Sequence, residues 1–559
     1  MNRSFRLSVA ALLPLAAVAV GLPSVAMAQS HSHPQGEKQT TTTSVTTEPA
    51  KPTLPEKTSD SVTEGSVTVG GKSIAYRAVT GLITVGSSDS QDATIMLDGR
   101  IMPEAAAELP PKPQDQPATA RLFYTAYLAK GVDTTKRPVI FFYNGGPGSA
   151  TMYLRMSSVG PVRVELPDLQ HPFGGPYKIV PNQYSLLDVA DLVFIDAPGT
   201  GYSRVYGKDA MKAFYGIDGD AEAFDRFIRR FLTKEDRWMS PRFLFGESYG
   251  TTRDAVLAAK LQKSGVDLNG VVFLSQILSF GDSADGSDGN PGAENGQFLA
   301  LPSFAATAWY HHKVPNQPAE LEPFLHTVEQ YAVGEYAEAL LQGADLDPAR
   351  KAAVAAKLES FTGIPASLWI KADLRLTGGE FSKYLQDSSG ITTGRLDSRF
   401  EGPAMDPMER DADYDPFTES IESAILAAQN HYAHTTLHYG MDMTYKPSAR
   451  EPGFHWDMQH RAPGGGGRGG ANVMGDLAYT MKVNPKMHVL LMGGYFDLGT
   501  LYFGAEYEMK HLPIPAELQK NIEYKFFQSG HMVYVNPDAL KGLHDRTAEF
   551  IRENEDASK

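Results

Sequence analysis

Five residues, Gly246-Glu247-Ser248-Tyr249-Gly250, form the pattern G-x-S-x-G, which occurs once in the chain. The run RFLF comes directly before the pattern, and the residues after it could start a helix. A serine on a tight, strained turn between a strand and a helix holds its hydroxyl clear of the backbone, and the flanking positions need small residues. The pattern therefore predicts a nucleophilic serine at Ser248.

A serine hydroxyl is a weak nucleophile that needs a base, and the base needs an orienting partner. Asp497 comes directly after the apolar run 489–496, and His531 follows the run 523–530 near the C-terminus. Taken singly, Asp497 could be a turn residue and His531 a surface loop residue. The order serine, acid, histidine, with each residue past the end of a strand, predicts a catalytic triad at one edge of a sheet.

A glycine-rich turn follows the apolar run 137–144 in the stretch FFYNGGPGSAT. Gly145 and Gly146 could turn bare backbone N–H groups toward a developing oxyanion, together with the N–H of Tyr249. An ordinary Pro-Gly turn is the alternative reading of this stretch.

The elements that must position these residues are strands buried on both faces. A segment of helical periodicity, 219–234, separates two of the runs, and this order predicts a mostly parallel sheet with helices on both faces. Before them, alternating residues around Gly70 and Gly71 predict a hairpin. The runs predicted to be parallel strands are 137–144, 190–198, 242–248, 270–277, 487–497 and 523–531.

Between residues 301 and 475 the alternation of strands and helices gives way to helical patterns, which predict a largely helical cap inserted into an α/β core. The core is then formed by 63–300 and 476–559. The glycine run at 463–470 has neither a leading strand nor a following Gly-Lys-Ser/Thr, so it predicts a mobile connection and no phosphate loop.

The N-terminal segment 1–28 has two arginines, a short apolar stretch and the small residues of AMA, which predicts a signal peptide cleaved after Ala28. Residues 29–62 are rich in Thr, Pro and Ser and predict a disordered tether. The chain contains no cysteine, so no disulfide is expected, and a periplasmic or secreted location without a membrane span after cleavage is predicted.

The formal net charge of -15 gives no basic excess for a nucleic-acid partner. His431, His434 and His438 would share one face of a helix, but no carboxylate or HExxH arrangement accompanies them, so no metal and no cofactor are predicted. The acidic stretch 409–419 lacks the glycine and glutamate spacing of a calcium loop and reads as a solvated loop. Trp309, Tyr310 and Trp456 could line a substrate cleft or pack in the core.

Five stretches carry a resemblance to a known family: NGGPGSA, NQYSLLDVADLVFIDAPGTGYS, GESYG, GGYFD and SGHMV. In this order, over residues 144–533, the chain resembles the serine carboxypeptidases of the α/β-hydrolase fold. The resemblance implies that Ser248 is acylated, that His531 is the general base and then acid, and that Asp497 orients it. It also implies oxyanion-hole N–H groups at Gly146 and Tyr249.

The resemblance further implies that Asn144, Gly145 and Glu247 bind the free C-terminal carboxylate of a peptide substrate. Two carboxyl groups share a site only if one is protonated, so Glu247 is expected to have a raised pKa, with cleavage favoured at acid pH. Ser158 stands where the family has a second glutamate, which weakens the expected carboxylate recognition.

Two further departures concern the glycine-rich turn. Ser149-Ala150-Thr151 replaces the Cys-Ser-Ser usual in the family, and Phe142 replaces a tryptophan. The sequence thus predicts an exported serine carboxypeptidase. A serine esterase or acyltransferase of the same fold is the alternative, and an inactive binding protein is a third reading.

Overall fold

The structure is a computed structural model that describes residues 60–285, 291–450, 454–463 and 471–555. The predicted signal peptide, the predicted tether up to residue 59 and the glycine run from residue 464 to 470 lie outside these residues. The first strand begins at Ser61, so it includes the last two residues of the predicted tether. Ser61 and Val62 belong to the strand because they pair with Thr80 and Val79.

The described part of the chain contains fourteen strands. They are β1 (Ser61–Val69), β2 (Lys72–Gly86), β3 (Thr119–Ala129), β4 (Val139–Tyr143), β5 (Val162–Val164), β6 (Ile179–Pro181), β7 (Asp191–Ile195), β8 (Arg204–Tyr206), β9 (Arg242–Glu247), β10 (Gly270–Leu274), β11 (Ile391–Thr393), β12 (Glu401–Pro403), β13 (His488–Gly494) and β14 (Ile522–Phe527).

The central sheet has the strand order β1-β2-β3-β7-β4-β9-β10-β13-β14, with β8 beside β3. The hairpin predicted around Gly70 and Gly71 is confirmed, since β1 and β2 are antiparallel and Val69 pairs with Lys72. From β7 to β14 every neighbouring pair is parallel. The predicted α/β-hydrolase fold, with a mostly parallel sheet, is therefore confirmed.

The chain leaves β4 toward β7 and then crosses back to β9 on the other side of β4. In open α/β sheets, ligands bind at the carboxyl ends of the strands where the direction of winding reverses. The turns after β4 and β9, which carry Gly145 and Ser248, lie at this point.

Helices cover both faces of the sheet and fill the region between β10 and β13. They are α1 (Asp89–Asp92), α2 (Pro103–Ala107), α3 (Met152–Ser157), α4 (Ala210–Phe214), α5 (Ile217–Lys234), α6 (Tyr249–Lys263), α7 (Asn295–Tyr310), α8 (Leu321–Tyr331), α9 (Ala337–Gln342), α10 (Pro348–Thr362), α11 (Ala366–Lys371), α12 (Gly378–Tyr384), α13 (Pro416–Thr435), α14 (Met474–Val483), α15 (Tyr502–Lys510), α16 (Ala516–Gln519) and α17 (Pro537–Asn554).

Apolar periodicity explains why these helices pack as they do. In α5 the predicted apolar stripe, which includes Phe224, Phe227 and Phe231, is buried in one core cluster with α6 and the sheet. A second cluster on the other face contains α13 and α17. Burial of each such aromatic side chain contributes roughly 2 to 3 kcal/mol relative to leaving it in water.

The region between β10 and β13 does not form a single layer. Helices α7 to α12 pack around their own apolar cluster, whereas α13 packs on the sheet beside α3. The predicted boundaries at residues 301 and 475 fall inside α7 and α14, because both helices bury apolar residues across those positions. No helix in the described ranges is long and apolar enough to cross a membrane.

Candidate active site

Ser248 lies on the turn between β9 and α6, with φ of 61°. A Cβ atom on Gly246 would lie 2.3 Å from the carbonyl oxygen of Gly250, and one on Gly250 would lie 2.9 Å from that of Tyr143. Glycine is therefore required on both sides of the serine for steric reasons. The residues before and after Ser248 are buried while Ser248 is half-buried, so the strained turn presents the hydroxyl at the edge of the sheet.

The predicted acid and base are hydrogen-bonded to each other. His531 Nδ1 lies 2.7 Å from Asp497 Oδ2, and both side chains are buried. Asp497 follows β13 and His531 follows the neighbouring parallel strand β14, so the two strand ends hold them side by side. The ring nitrogen nearest Asp497 is held as a donor, which leaves Nε2 to accept a proton.

Thr500 hydrogen-bonds to Asp497, and this contact was not predicted from the sequence. Its hydroxyl donates to Asp497 Oδ2 at 2.6 Å, and the N–H groups of Gly499 and Thr500 donate to Oδ1 at 2.8 and 3.0 Å. Aspartate commonly accepts from backbone N–H groups two and three residues further on. The stretch DLGT carried that signal, since a threonine stands three residues after the aspartate.

Burial and the neighbouring charges have opposing effects on the pKa of His531. Burial alone would lower the pKa of His531, but the charge and the hydrogen bond of Asp497 outweigh burial, so the pKa of His531 lies above its usual value. Glu247, which precedes Ser248, also raises the pKa of His531 through its charge. The end of β10 joins the two loops, since Ser248 N–H donates to the carbonyl oxygen of Leu274 at 2.9 Å and Ser275 donates its hydroxyl to that of His531 at 2.6 Å.

The glycine-rich turn after β4 packs against the serine turn. A Cβ atom on Gly145 would lie 2.4 Å from the backbone nitrogen of Tyr249 and 2.7 Å from the carbonyl oxygen of Glu247. Gly146 has φ of 108° and is exposed. Tyr249 is the first residue of α6, so its N–H has no partner within the helix. The turns predicted to form an oxyanion hole are therefore in contact.

Glu247 points into a buried network of polar side chains. Tyr534 donates its hydroxyl to Glu247 Oε2 at 2.8 Å, and the side chain of Asn144 also hydrogen-bonds to Glu247. Burial raises the pKa of Glu247 to about 7, although His531, Tyr534 and Asn144 each lower it. Tyr534 gave no signal in the sequence, because nothing local shows that a residue three positions after His531 reaches back to β9.

Ser158, the residue in place of the second glutamate, is buried, and its hydroxyl has no partner in the part of the chain that the structure describes. Tyr153 of α3 hydrogen-bonds to Glu422 of α13 and lies within electrostatic range of Glu247. Tyr153 therefore interacts with both carboxyl groups, and sequence reasoning identified neither Tyr153 nor Glu422.

The other predicted clusters have ordinary structural roles. Helix α13 ends at Thr435, so His438 does not share a helix face with His431 and His434, and the described residues contain no cluster of three or more groups that could hold a metal. Trp309 donates its ring N–H to Pro318, whereas Trp456 packs edge-on against Tyr249.

Asp415, in the acidic stretch, is a helix cap. Its side chain accepts from Phe417 N–H at the start of α13.

A serine on a strained strand–helix turn and an Asp–His pair past two parallel strands have the geometry of a serine hydrolase on the α/β-hydrolase fold. Comparison with known proteins agrees with this class. Residues 113–272 match the family model Peptidase_S10, described as serine carboxypeptidase.

Two curated relatives and one solved structure illustrate the similarity. The pheromone-processing carboxypeptidase KEX1 of Yarrowia lipolytica is 30% identical over 188 residues, which is 33% of this chain and 27% of the relative. The serine carboxypeptidase-like 16 protein of Arabidopsis thaliana is 26% identical over 170 residues, 29% of this chain and 38% of the relative. The chain therefore spans about a quarter to two fifths of the length of these relatives.

The crystal structure of proline iminopeptidase from Mycobacterium smegmatis is 13% identical, covers 79% of this chain and 97% of its own, and has a TM-score of 0.33.

Proposed function

We propose that the protein is a serine carboxypeptidase that removes residues from the free C-termini of peptides. The observation that carries the proposal is the 2.7 Å hydrogen bond between His531 and Asp497, at the sheet edge where the strained turn presents Ser248. The similarity of residues 113–272 to serine carboxypeptidases supports the same conclusion.

In the proposed reaction, Ser248 Oγ attacks the carbonyl carbon of the last peptide bond while His531 Nε2 takes the hydroxyl proton. The N–H groups of Gly146 and Tyr249 stabilise the oxyanion. His531 then gives the proton to the leaving amine, and the C–N bond breaks to leave an acyl-enzyme. Water, deprotonated by His531, adds to the acyl carbon, the ester bond to Ser248 Oγ breaks, and His531 returns the proton to Ser248 Oγ as the shortened peptide is released.

Asn144, Gly145 and Glu247 are proposed to bind the C-terminal carboxylate of the substrate. A protonated Glu247 can donate a hydrogen bond to that carboxylate, whereas an ionised Glu247 repels it. Because burial raises the pKa of Glu247 to about 7, binding of free-acid peptides is expected to favour pH values below about 7.

The direct test is mass spectrometry of a peptide mixture incubated with the purified protein at pH 5 and at pH 7. Stepwise loss of C-terminal residues, absent with Ser248→Ala, is the expected result. Intact peptides in both samples would overturn the carboxypeptidase proposal.

One observation favours a second candidate, a serine esterase or acyltransferase. Ser158 supplies no carboxyl group where the family has its second glutamate, so the demand for a free carboxylate is reduced. Comparing hydrolysis of an N-blocked dipeptide with that of its C-terminal amide separates the two. Equal rates on both substrates would favour the second candidate.

Export is part of the proposal and is supported by the N-terminal sequence. N-terminal sequencing of the protein purified from its host is expected to begin at Gln29 after cleavage behind Ala28. An intact N-terminus would contradict export by this route.

A further inference from the structure

A short segment of the region between β10 and β13, Arg395–Ser398, runs between the loops that carry Asp497 and His531. The carbonyl oxygen of Leu396 accepts from His531 N–H at 2.6 Å, and that of Arg395 accepts from Leu498 N–H at 3.0 Å. The N–H of Ser398 donates to the carbonyl oxygen of Phe496 at 2.9 Å. The base itself and both chain neighbours of the acid are thus hydrogen-bonded to one segment.

The segment is anchored from its other side by Asp415. This carboxylate accepts from the N–H groups of Arg395 and Leu396 at 3.0 and 3.3 Å. The same carboxylate accepts from Phe417 N–H at 3.1 Å, at the start of α13, whose apolar face packs with the sheet. A chain of hydrogen bonds therefore connects a core helix to the acid–base pair.

The side chain of Arg395 lies beside the acid. Its Nη2 lies 2.8 Å from Asp285 Oδ2, and its Nη1 lies 3.2 Å from the position that a Cβ atom would take on Gly499. The arginine side chain is 43% exposed. The guanidinium is therefore at the rim of the site, beside Gly499, which lies two residues after Asp497.

The charged groups that face His531 come from three directions. Asp497 follows β13, Glu247 ends β9 directly before Ser248, and Arg395 belongs to the inserted segment. Asp397, which contacts Gly530 beside the base, is paired with Arg399 through Nη2 and Oδ2 at 2.6 Å. Among these groups, Arg395 is the cation whose charge acts on the imidazole against Asp497 and Glu247.

We propose that Arg395–Ser398 is a clamp that positions the acid–base pair, with Arg395 a positioning residue whose charge favours the neutral imidazole. This inference rests on the triad of the proposed function. A nearby positive charge disfavours a second positive charge on His531, so it keeps more of the base ready to accept the proton of Ser248. The hydrogen bonds of the clamp fix the loop of the base relative to that of the acid.

The test follows the rate at which a fluorophosphonate labels Ser248 from pH 5 to pH 9, which needs no knowledge of the natural substrate. In Arg395→Met the pH of half-maximal labelling is expected to rise by about 0.5 unit or more, since the neutral side chain no longer opposes the imidazolium. Arg395→Lys retains the charge and is expected to keep the wild-type profile. An unchanged profile in Arg395→Met would overturn the role of the charge.

The positioning by hydrogen bonds is tested with a matched pair of helix caps. Asp415→Ala removes the anchor and is expected to lower the maximal labelling rate at least fivefold. Asp347→Ala removes a cap of the same kind, an aspartate before proline that accepts from Ala349 and Arg350 N–H at the start of α10, and is expected to keep the rate. Equal rates in the two variants would overturn the clamp.

Failure of wild-type protein to label at any pH would overturn the proposed triad, and the clamp with it. Labelling of the wild type without any carboxypeptidase activity would overturn the substrate proposal alone. In that case the pH profiles of the Arg395 variants still decide the role of the charge, and the labelling rates of the Asp415 and Asp347 variants decide the role of the clamp.

Discussion

The wild type is expected to cleave free-acid peptides with a kcat/KM that falls above about pH 7, and replacing Glu247 with glutamine is expected to abolish this decrease. The pKa of Glu247 is raised to about 7 by burial, so the carboxyl keeps its proton through the acid range and loses it as the pH rises past about 7. The protonated fraction then falls from about nine tenths at pH 6 to about one tenth at pH 8. The kcat/KM of the wild type for a free-acid peptide should therefore fall about tenfold between these values.

In Glu247→Gln an amide replaces the carboxyl group. It can donate to the substrate carboxylate at every pH and can still accept the hydroxyl of Tyr534, which lies 2.8 Å from Glu247 Oε2. The variant is expected to lose the decline between pH 6 and pH 8 while it retains the acid limb set by His531. The assay is kcat/KM of an N-blocked dipeptide from pH 5 to pH 9.

The matched control is the ethyl ester of the same dipeptide, which has no free carboxylate. Its cleavage is expected to show no decline above pH 7 in either protein. A decline of the same size with the ester, or a decline retained in Glu247→Gln, would refute the assignment of Glu247 to carboxylate binding.

The same carboxyl group links pH to stability. Between the ordinary pKa of a glutamate and about 7, folded protein binds a proton that the unfolded chain has lost, so the free energy of unfolding falls as the pH rises. For Glu247 alone the loss is roughly 3 kcal/mol across that window. Thermal unfolding at pH 5 and pH 8 should show a smaller difference in Glu247→Gln than in the wild type, and an equal difference would contradict the buried carboxyl.

Three further substitutions test other contacts. Thr500→Val removes the hydroxyl that donates to Asp497 at 2.6 Å. Because a hydrogen bond to a charged group is lost, kcat is expected to fall roughly tenfold with little change in KM. An unchanged kcat would contradict a role of Thr500 in holding Asp497. Tyr534→Phe removes a hydrogen bond that lowers the pKa of Glu247. The decrease in kcat/KM for free-acid peptides should therefore occur at higher pH than in the wild type. A shift of this decrease to lower pH would refute the contact. Arg253 forms a fully buried ion pair with Asp220 at 2.6 Å. Arg253→Met leaves the charge of Asp220 without its partner and should lower the free energy of unfolding by about 3 to 5 kcal/mol, measured by denaturant unfolding. A decrease below about 1 kcal/mol would contradict the importance of this ion pair.

The strands and the nucleophile turn could be predicted because their signals are local. Apolar runs of five to seven residues between polar segments mark strands that are buried on both faces, whatever the rest of the chain does. The steric demand around Ser248 is equally local, since Gly246 and Gly250 are needed by the turn itself. The exact ends of the helices could not be predicted in this way, because helix ends depend on contacts with other elements.

The sequence alone also determined which residues form the candidate triad. Ser248, Asp497 and His531 each follow a predicted parallel strand, and parallel strands present their carboxyl ends at the same edge of a sheet. For these three residues, the predicted strands are therefore enough to predict that they lie at the same edge of the sheet.

Only the tertiary structure decided the surroundings of the triad. Tyr534 reaches Glu247 across 287 residues of chain, and Leu396 meets His531 from a region whose sequence carries no recognisable motif. Such contacts depend on how distant segments pack, and the raised pKa of Glu247 depends on the water that this packing excludes. Chain order is enough to predict a chemical group, whereas its protonation and orientation are set by neighbours that only folding brings together.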